Sequence, residues 1–391
     1  MRKKVLIYNV AHYSCSSTTR HHMHMCDEIG VDYKVILNRE SDDIVADYYV
    51  PVLWYKRKKS IELMSEIVIR ENPDFILGLE EPVLPIVAET NERFGLSGYT
   101  TRITDVICSK DKWSKFCRSI GIDVPDHKII TTLRELEVDY DFILKPDWGN
   151  GSAHIIKSTT RTIDNSIFDY DKDFLGSLLC QKLLSRNSIQ LDISFFCNEK
   201  EVYFTAVRSR TMDEHGIAIS DATGETPHTK KYFDIGKEYI RRVIRALGIK
   251  NIQGNPEMIV ENGIVYFIDP NFRSGPFYEF MLQEELGVKG AREALKSFLD
   301  PNYVPQEIEW DGRYLSSAAV KGSHKWSGLT NDNSIILAPN VKMIDNWTGK
   351  WSFGIDVCSQ PKILMVSGST PADSESLMKS YMKTLEYDIL R

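Results

Sequence analysis

Through its first hundred residues the chain alternates short apolar runs with longer amphipathic stretches. The runs KVLIYNV, YKVILN, DYYVPV and DFILGL read as strands, with a helical segment ending near Gly30 and a helix SIELMSEIVIREN between them. Strand and helix in alternation predict a parallel sheet covered by helices. EPVLPIVAETNERFG then reads as a helix closed by Gly95, and CSKDKWSKFCRSIG as one stopped by Gly121, with Val124-Pro125 just beyond. HKIITT, YDFILKP, AHIIKS, LLCQKLL, IQLDISFFC and EVYFTAVRSR carry the alternation and β-branched content of strands. In YFDIGKEYIRRVIRALG the apolar residues recur every three or four positions up to Gly248. PEMIV and IVYFID follow, joined by Glu261-Asn262-Gly263, and Asn-Gly is the strongest short hairpin signal. Beyond about residue 300 come proline-containing loops, the strands YLSSAAVKG and KILMVSG, and a terminal helix SESLMKSYMKTLEYDIL with Ser374 or Asp373 as its cap.

This order predicts an α/β and α+β protein in three units: a parallel α/β domain at 1–105, a second domain at 106–300, and a small α+β domain at 301–391. Length agrees, since 391 residues exceed what one core holds. Hydrophobic residues make up 42% and charged residues 26%, as in an ordinary globular protein. A net charge of -7 argues against a nucleic-acid partner, which calls for a basic face. Seven cysteines without CxxC spacing suit reduced thiols. The opening MRKKVLIYNV has the charge of a signal peptide, but Asn9 and His12 break its apolar run, so it reads as a first strand. No stretch nears the ~18 apolar residues of a membrane helix, and the expectation is a cytoplasmic protein without a membrane partner.

The hairpin carries the most constrained chemistry. Glu257 lies six residues before Gly263 and Asp269 six after, so the two carboxylates can share one end of neighbouring strands, with Asn271 two residues on. Magnesium is commonly held by one or two carboxylates together with substrate phosphates. Alone, these would more often be solvated strand-end acids and a turn former. Arg273, in DPNFRSGP, makes the group a converging polar site. In ILKPDWGNGSAHIIK a strand delivers Lys145, and a turn with Gly149, Asn150, Gly151 and Ser152 can turn backbone N–H groups toward phosphate oxygens; a plain hairpin loop is the commoner fate of such a turn. Asp111 and Lys112 open the helix in SKDKWSKF, where Lys112 is one of several lysines that can be merely solvated. His21, His22 and His24 do not converge as metal ligands on a helix, and Ser14, Ser16, Ser17, Thr18, Thr19 and Arg20 fall at the end of the first strand, where α/β sheets bind ligands.

In this order the elements resemble the ATP-grasp superfamily, from roughly Glu80 to Arg273 and more loosely to the C-terminus. DKWSKFCRSIGIDVP looks like the family's Asp-Lys helix, which implies that Lys112 binds nucleotide, and FILKPDWGNGSAHIIK looks like its second lysine and glycine-rich lid. LLCQKLLSRNSIQLDISFF resembles the hinge strand beside adenine, here Gln181, Lys182 and Leu183, followed by an acid, Asp192; Gln181 stands where glutamate is frequent. VRSRTMDEHGIA is similar to a basic strand, giving Arg210 as a triphosphate or acyl-phosphate contact with Arg208 as its alternate. PEMIVENGIVYFIDPNFR resembles the magnesium-binding strands, with Asp269 where glutamate is usual, and Glu80 or Glu81 corresponds to an acid facing the cleft.

The resemblance implies an N-terminal domain, a two-lobed ATP-grasp domain whose small lid lobe covers about 125–180, and a C-terminal domain. It implies ATP with Mg2+, or Mn2+ as an alternative, and a carboxylate activated as an acyl phosphate and then joined to an amine. Arg273, Arg210 and Lys145 would serve the reaction, and Glu257, Asp269 and Asn271 would hold the metal. A kinase, a carboxylase and a non-catalytic ATP-binding protein are the alternatives. The partners implied are a small carboxylate and an amine, and the family is compatible with a homodimer.

Overall fold

The computed structural model describes residues 2–11, 13–42, 44–52, 57–148, 156–157, 177–184, 188–212, 218–225, 229–274, 289–306, 314–321, 334–338, 341–344, 362–369, 373, 376–377, 380 and 388–389. The first unit has the expected parallel sheet. Strands β1 (Lys4–Asn9), β2 (Asp32–Leu37), β3 (Tyr48–Tyr49) and β4 (Phe75–Gly78) run in the order β3-β2-β1-β4. Helices α1 (Tyr13–Ile29), α2 (Arg57–Glu71) and α3 (Leu84–Phe94) connect and follow them. The strands are nearly continuous apolar runs because helices bury both faces of a parallel sheet.

Two further helices, α4 (Thr101–Ile107) and α5 (Lys110–Ser119), lead out of this unit. The pattern had not revealed α4, because its seven residues, TRITDVI, are mostly β-branched and read as strand. The Thr100 hydroxyl, accepting from the Ile103 N–H, starts it nonetheless. A small antiparallel sheet follows, β5 (His127–Ile130), β6 (Phe142–Pro146), β7 (Ile156–Lys157) and β8 (Leu178–Lys182), in the order β5-β8-β6-β7.

The large sheet has 11 strands among the described residues. One end is β14-β13-β9-β10-β11, from β9 (Ile189–Cys197), β10 (Val202–Met212), β11 (Ala218–Thr223), β13 (Glu257–Glu261) and β14 (Ile264–Asp269). A short β12 (Ile252–Gly254) also pairs with β9. The sheet continues through β15 (Tyr314–Lys321), β18 (Lys362–Gly368), β17 (Val341–Ile344) and β16 (Ser334–Ala338), and β19 (Asp388–Ile389) pairs with β15. Most of the expected terminal helix lies outside the described residues, and near its end Asp388 and Ile389 form the strand β19 instead, held by pairing with β15.

Helix α6 (Lys230–Leu247) lays Phe233, Ile240, Val243 and Leu247 against this sheet, a stripe at three- and four-residue spacing. A further helix, α7 (Gly290–Leu299), buries Ala294, Leu295 and Phe298 beside the parallel sheet. One core cluster runs from Leu6 and Ile76 in the first unit through Trp113 to Ile193, Phe195, Phe267 and Phe272 in the large sheet. Within it, Trp113 meets Phe267 at 4.7 Å and Phe272 at 5.8 Å, and Phe195 meets Phe272 at 5.2 Å, all near edge-to-face. Thus α5 is keyed directly onto the chain that follows β14.

The close approach at Gly254 makes that key possible. A Cβ there would lie 2.6 Å from the Phe195 ring and 3.0 Å from the Cα of Phe272, so main chain would have to move. Gly254→Ala should therefore cost about 1–3 kcal/mol of stability, seen as a lower urea midpoint with an unchanged slope; an unshifted midpoint would show that the backbone yields freely.

Candidate active site

The hairpin forms as its sequence predicts. Asn262 and Gly263 both take positive φ, 52° and 82°, as a two-residue primed turn requires. From that turn the pairs run Glu261 with Ile264, Val260 with Val265, Ile259 with Tyr266 and Met258 with Phe267. Continued without interruption, the ladder would set Glu257 opposite Ile268. Instead the register shifts between Glu257 and Met258, and Glu257 pairs with Asp269. Successive strand side chains alternate faces, so an unbroken strand would turn Asp269 to the side of the buried Phe267. The bulge at Ile268 brings the two carboxylates together.

The pairing extends this into a row across four strands. Asp192 on β9 lies opposite Glu257, and Arg208 on β10 lies opposite Asp192. Arg208 Nη2 meets Asp192 Oδ2 at 2.5 Å, and both side chains are almost wholly buried. Three acids and one base thus cross the sheet in file. Side chains directly opposite stand about 5 Å apart, where like charges repel by roughly 3 kcal/mol at an effective dielectric of about 20. The row therefore needs cations. Two amides steady its centre: Gln190 Nε2 donates to Glu257 Oε2 at 3.1 Å and Asn271 Nδ2 to Glu257 Oε1 at 3.2 Å.

Lys145 supplies one positive charge. It leaves β6 buried, 5% exposed, and burial lowers its pKa, with Lys110 lowering it further and Asp269 and Glu257 pulling it back up. Two lysines from different elements thus share this end of the row. The second is Lys110 rather than Lys112. Lys112 points to the surface and pairs with Asp105 at 2.5 Å. On α5 the two residues sit about 200° apart around the axis, so only one can face the cleft. Composition gave no means of choosing between them; the helix's rotational setting, fixed by buried Trp113, does.

Past β14, Pro270 ends the ladder by removing a donor. Asn271 takes φ 38°, a left-handed position that asparagine tolerates. Its carbonyl accepts from the Asn255 N–H at 2.8 Å, and the Phe272 carbonyl accepts from the Tyr99 hydroxyl at 2.6 Å. The turn aims Arg273 back across the site. Arg273 Nη2 donates to Asn271 Oδ1 at 3.3 Å, and Arg273 Nε lies 3.4 Å from Glu80 Oε2 and 3.6 Å from Glu81 Oε1. Both glutamates follow β4, at the carboxyl end of the parallel sheet, as expected for ligand sites in such sheets.

Other expected residues fall elsewhere. Gln181 is buried, while Lys182 and Leu183 give their N–H groups to the carbonyls of Asp126 and Asp141, both at 2.7 Å. Arg210 pairs with Gln190 by register, but its side chain lies outside the described residues, as do Gly149, Asn150, Gly151 and Ser152. Thr19 accepts from Asn9 Nδ2 at 2.9 Å, and His22 is buried with Nδ1 2.8 Å from the Thr18 carbonyl. These two residues tie α1 to the core; Arg20 is exposed. Among the described residues no three His, Cys, Asp or Glu side chains form a group that could hold a metal ion, so two carboxylates and an amide are the most this site offers.

No family model matches the chain. The large chain of carbamoyl phosphate synthase from Pseudothermotoga lettingae is 21% identical over 289 residues, covering 68% of this chain and 25% of that one. The counterpart from Helicobacter pylori strain J99 is 22% identical over 277 residues, 67% and 25%. The chain spans about a quarter of the length of these curated relatives. Among solved structures, L-amino acid ligase from Bacillus licheniformis superposes with a TM-score of 0.71 at 14% identity, over 100% of this chain and 99% of that one. The fold is that of the ATP-grasp superfamily. N5-carboxyaminoimidazole ribonucleotide synthetase from Thermotoga maritima gives 0.66 at 13% identity, over 100% and 99%. The biotin carboxylase domain dimer of Hydrogenobacter thermophilus 2-oxoglutarate carboxylase, in complex with MgADP, ADP and bicarbonate, gives 0.67 at 14%, over 100% and 91%. The charge row thus sits in an ATP-grasp sheet, and none of its described helices is long and apolar enough to cross a membrane.

Glu81 gives this site a pH signature. Burial raises its carboxyl from 4.5 to about 7, Asp269 and Glu80 add to the rise, and Arg273 and Lys110 oppose it. A raised folded value means that the proton stabilises the fold: the contribution is complete below about 4.5, the unfolded value, and is lost as pH climbs through about 7. Glu81→Gln should accordingly gain in thermal midpoint over the parent between about pH 5 and about pH 8. Parallel pH profiles for the two proteins would rule this out.

Proposed function

We propose that this ATP-grasp protein is an ATP- and magnesium-dependent ligase that activates a carboxylate as an acyl phosphate and joins it to an amine, releasing ADP and phosphate. The observation that carries the reading is the approach of Lys145 and Lys110 to the Glu257–Asp269 end of the row, beside Asn271 and the Arg273 bonded to it. Phosphoryl transfer asks little covalent help of a protein, and depends on positioning and charge neutralisation.

In this reading Glu257, Asp269 and the Asn271 amide oxygen hold magnesium. The donor set fits: all are hard oxygens and two are charged, with the amides of Gln190 and Asn271 orienting the Glu257 carboxylate. The ion would supply charge neutralisation at the β- and γ-phosphates. Lys145 and Lys110 hold the remaining phosphate charge, and burial makes the Lys145 contact stronger than it would be in water. The strand Gln181-Lys182-Leu183 borders the adenine, with Asp192 holding the floor of the site through Arg208. Arg273, set by Glu80 and Glu81, receives the carboxylate and then its acyl phosphate. Arg210 and the loop Gly149-Asn150-Gly151-Ser152 complete the phosphate contacts, and closure of that loop would exclude water that hydrolyses acyl phosphates.

The L-amino acid ligase and the ribonucleotide synthetase support ligation. The bicarbonate-bound carboxylase domain favours a second reading, in which bicarbonate is the carboxylate activated. Products separate them. A screen of amino acids, small acids and amines for ADP release, with and without bicarbonate and with mass spectrometry of the product, should give an amide and free phosphate; a carboxylated product formed only with bicarbonate would support the second reading, and a stable phosphorylated product would indicate a kinase.

Two sets of variants test the site. Lys145→Ala and Asp269→Ala should each abolish ADP release while the fold persists by circular dichroism, and undiminished release by both would overturn the assignment. Lys110→Ala should weaken ATP binding by roughly ten- to hundredfold, the scale of a lost charge-assisted contact. Lys112→Ala, which removes only an exposed ion pair, should change it less than about threefold. The reverse order would restore Lys112 as the nucleotide lysine.

A further inference from the structure

The two lysines belong to separate elements, and nothing in their own chemistry brings them together, since like charges repel. What joins them is Asp147, two residues after Lys145. Its carboxylate accepts from the Asp111 N–H at 2.8 Å and from the Ser109 hydroxyl at 3.1 Å and 2.9 Å, and its main-chain carbonyl accepts from the Lys110 N–H at 3.0 Å. Ser109 in turn takes the Lys112 N–H at 3.2 Å. Every one of the first three amides of α5 is therefore satisfied by Asp147 or through it. Its negative charge also suits the positive end of a helix. Between Lys145 and Asp147 stands only Pro146, whose ring fixes φ, so the linkage from one lysine to the other has little slack.

We infer that Asp147 is a positioning residue that sets the spacing between Lys110 and Lys145, and through it the grip on nucleotide phosphates. This rests on the reading of those two lysines as phosphate ligands. A helix cap alone would stabilise α5 and leave nucleotide binding untouched. A clasp between the lysines must also govern how they act together.

The test is calorimetric titration of the full chain with ATP, without added metal. Asp147→Ala should weaken binding roughly ten- to hundredfold, as loss of a supporting shell does elsewhere. Asp147→Asn, which keeps one acceptor oxygen, should recover part of it. Lys110→Ala should cost much affinity in the parent and little more in the Asp147→Ala background, where Lys110 is no longer held. Should Asp147→Ala fail to fold, Asp147→Asn and Ser109→Ala carry the same comparison. A lower unfolding midpoint with unchanged affinity, and an equal Lys110→Ala cost in both backgrounds, would reduce Asp147 to a cap and overturn the inference. If Lys110→Ala and Lys145→Ala leave the parent's affinity unchanged, or the parent binds no ATP, the phosphate reading itself falls and this inference with it.

Discussion

One extra residue in one strand, Ile268, decides whether two carboxylates meet on this sheet. An unbroken hairpin grown from the Asn262-Gly263 turn sets Glu257 against Ile268 and turns Asp269 toward the core. The bulge puts two carboxylates on one face and lengthens a row of charges that already contains Asp192 and Arg208. Such a row is unfavourable by itself, so the rest of the architecture reads as compensation. Arg208 neutralises the buried end, Lys145 and Lys110 approach the open end, and Arg273 is held off to the side by two glutamates. Burial raises the stakes. Breaking the Arg208–Asp192 pair would strand a charge, a loss of about 3–5 kcal/mol.

Local chemistry made much of this legible in the sequence. The hairpin followed from Asn-Gly, the parallel unit from strand-helix alternation, and the pairing of Glu257 with Asp269 from counting outward from the turn. That count reached the right pair although an ideal hairpin would have missed by one, because a bulge leaves no trace in composition. The Lys145 strand was legible from its β-branched flank and the loop behind it. Lys110 was not: two lysines two residues apart on a helix are equivalent until packing fixes the helix's rotation, and Trp113 against Phe267 and Phe272 does so only in the folded chain. Asp147 was equally hidden, since its partners are 36 and 38 residues away.

The first unit sends a pair of acids toward Arg273. The Ser/Thr/His-rich segment had suggested ligand contacts at the end of β1, but Thr19 and His22 are spent on internal hydrogen bonds, and Gln253 lies 3.3 Å from the other His22 nitrogen. Thr19 thus ties α1 to β1 and His22 ties it to the large sheet, while the side chains of Ser14, Ser16 and Ser17 lie outside the described residues. The polar reach toward the cleft comes after β4, where Glu80 and Glu81 meet Arg273. Two acids share the Arg273 guanidinium there, and burial above all raises the Glu81 carboxyl, with Asp269 and Glu80 adding to the rise and Arg273 and Lys110 opposing it.

Aspartate at 269, where the superfamily usually has glutamate, fits this balance. Its carboxylate sits one methylene nearer the backbone, so it gains less from side-chain reach and more from register. The bulge supplies the register by setting it squarely opposite Glu257. The cation near it is a lysine nearly without solvent, whose pKa burial lowers and Asp269 and Glu257 both pull back up. Altering either carboxylate therefore lowers the Lys145 pKa further, and the strand that carries Lys145 is tied to the start of α5 through Asp147. The site behaves as one electrostatic unit because each of its members was brought in to offset another.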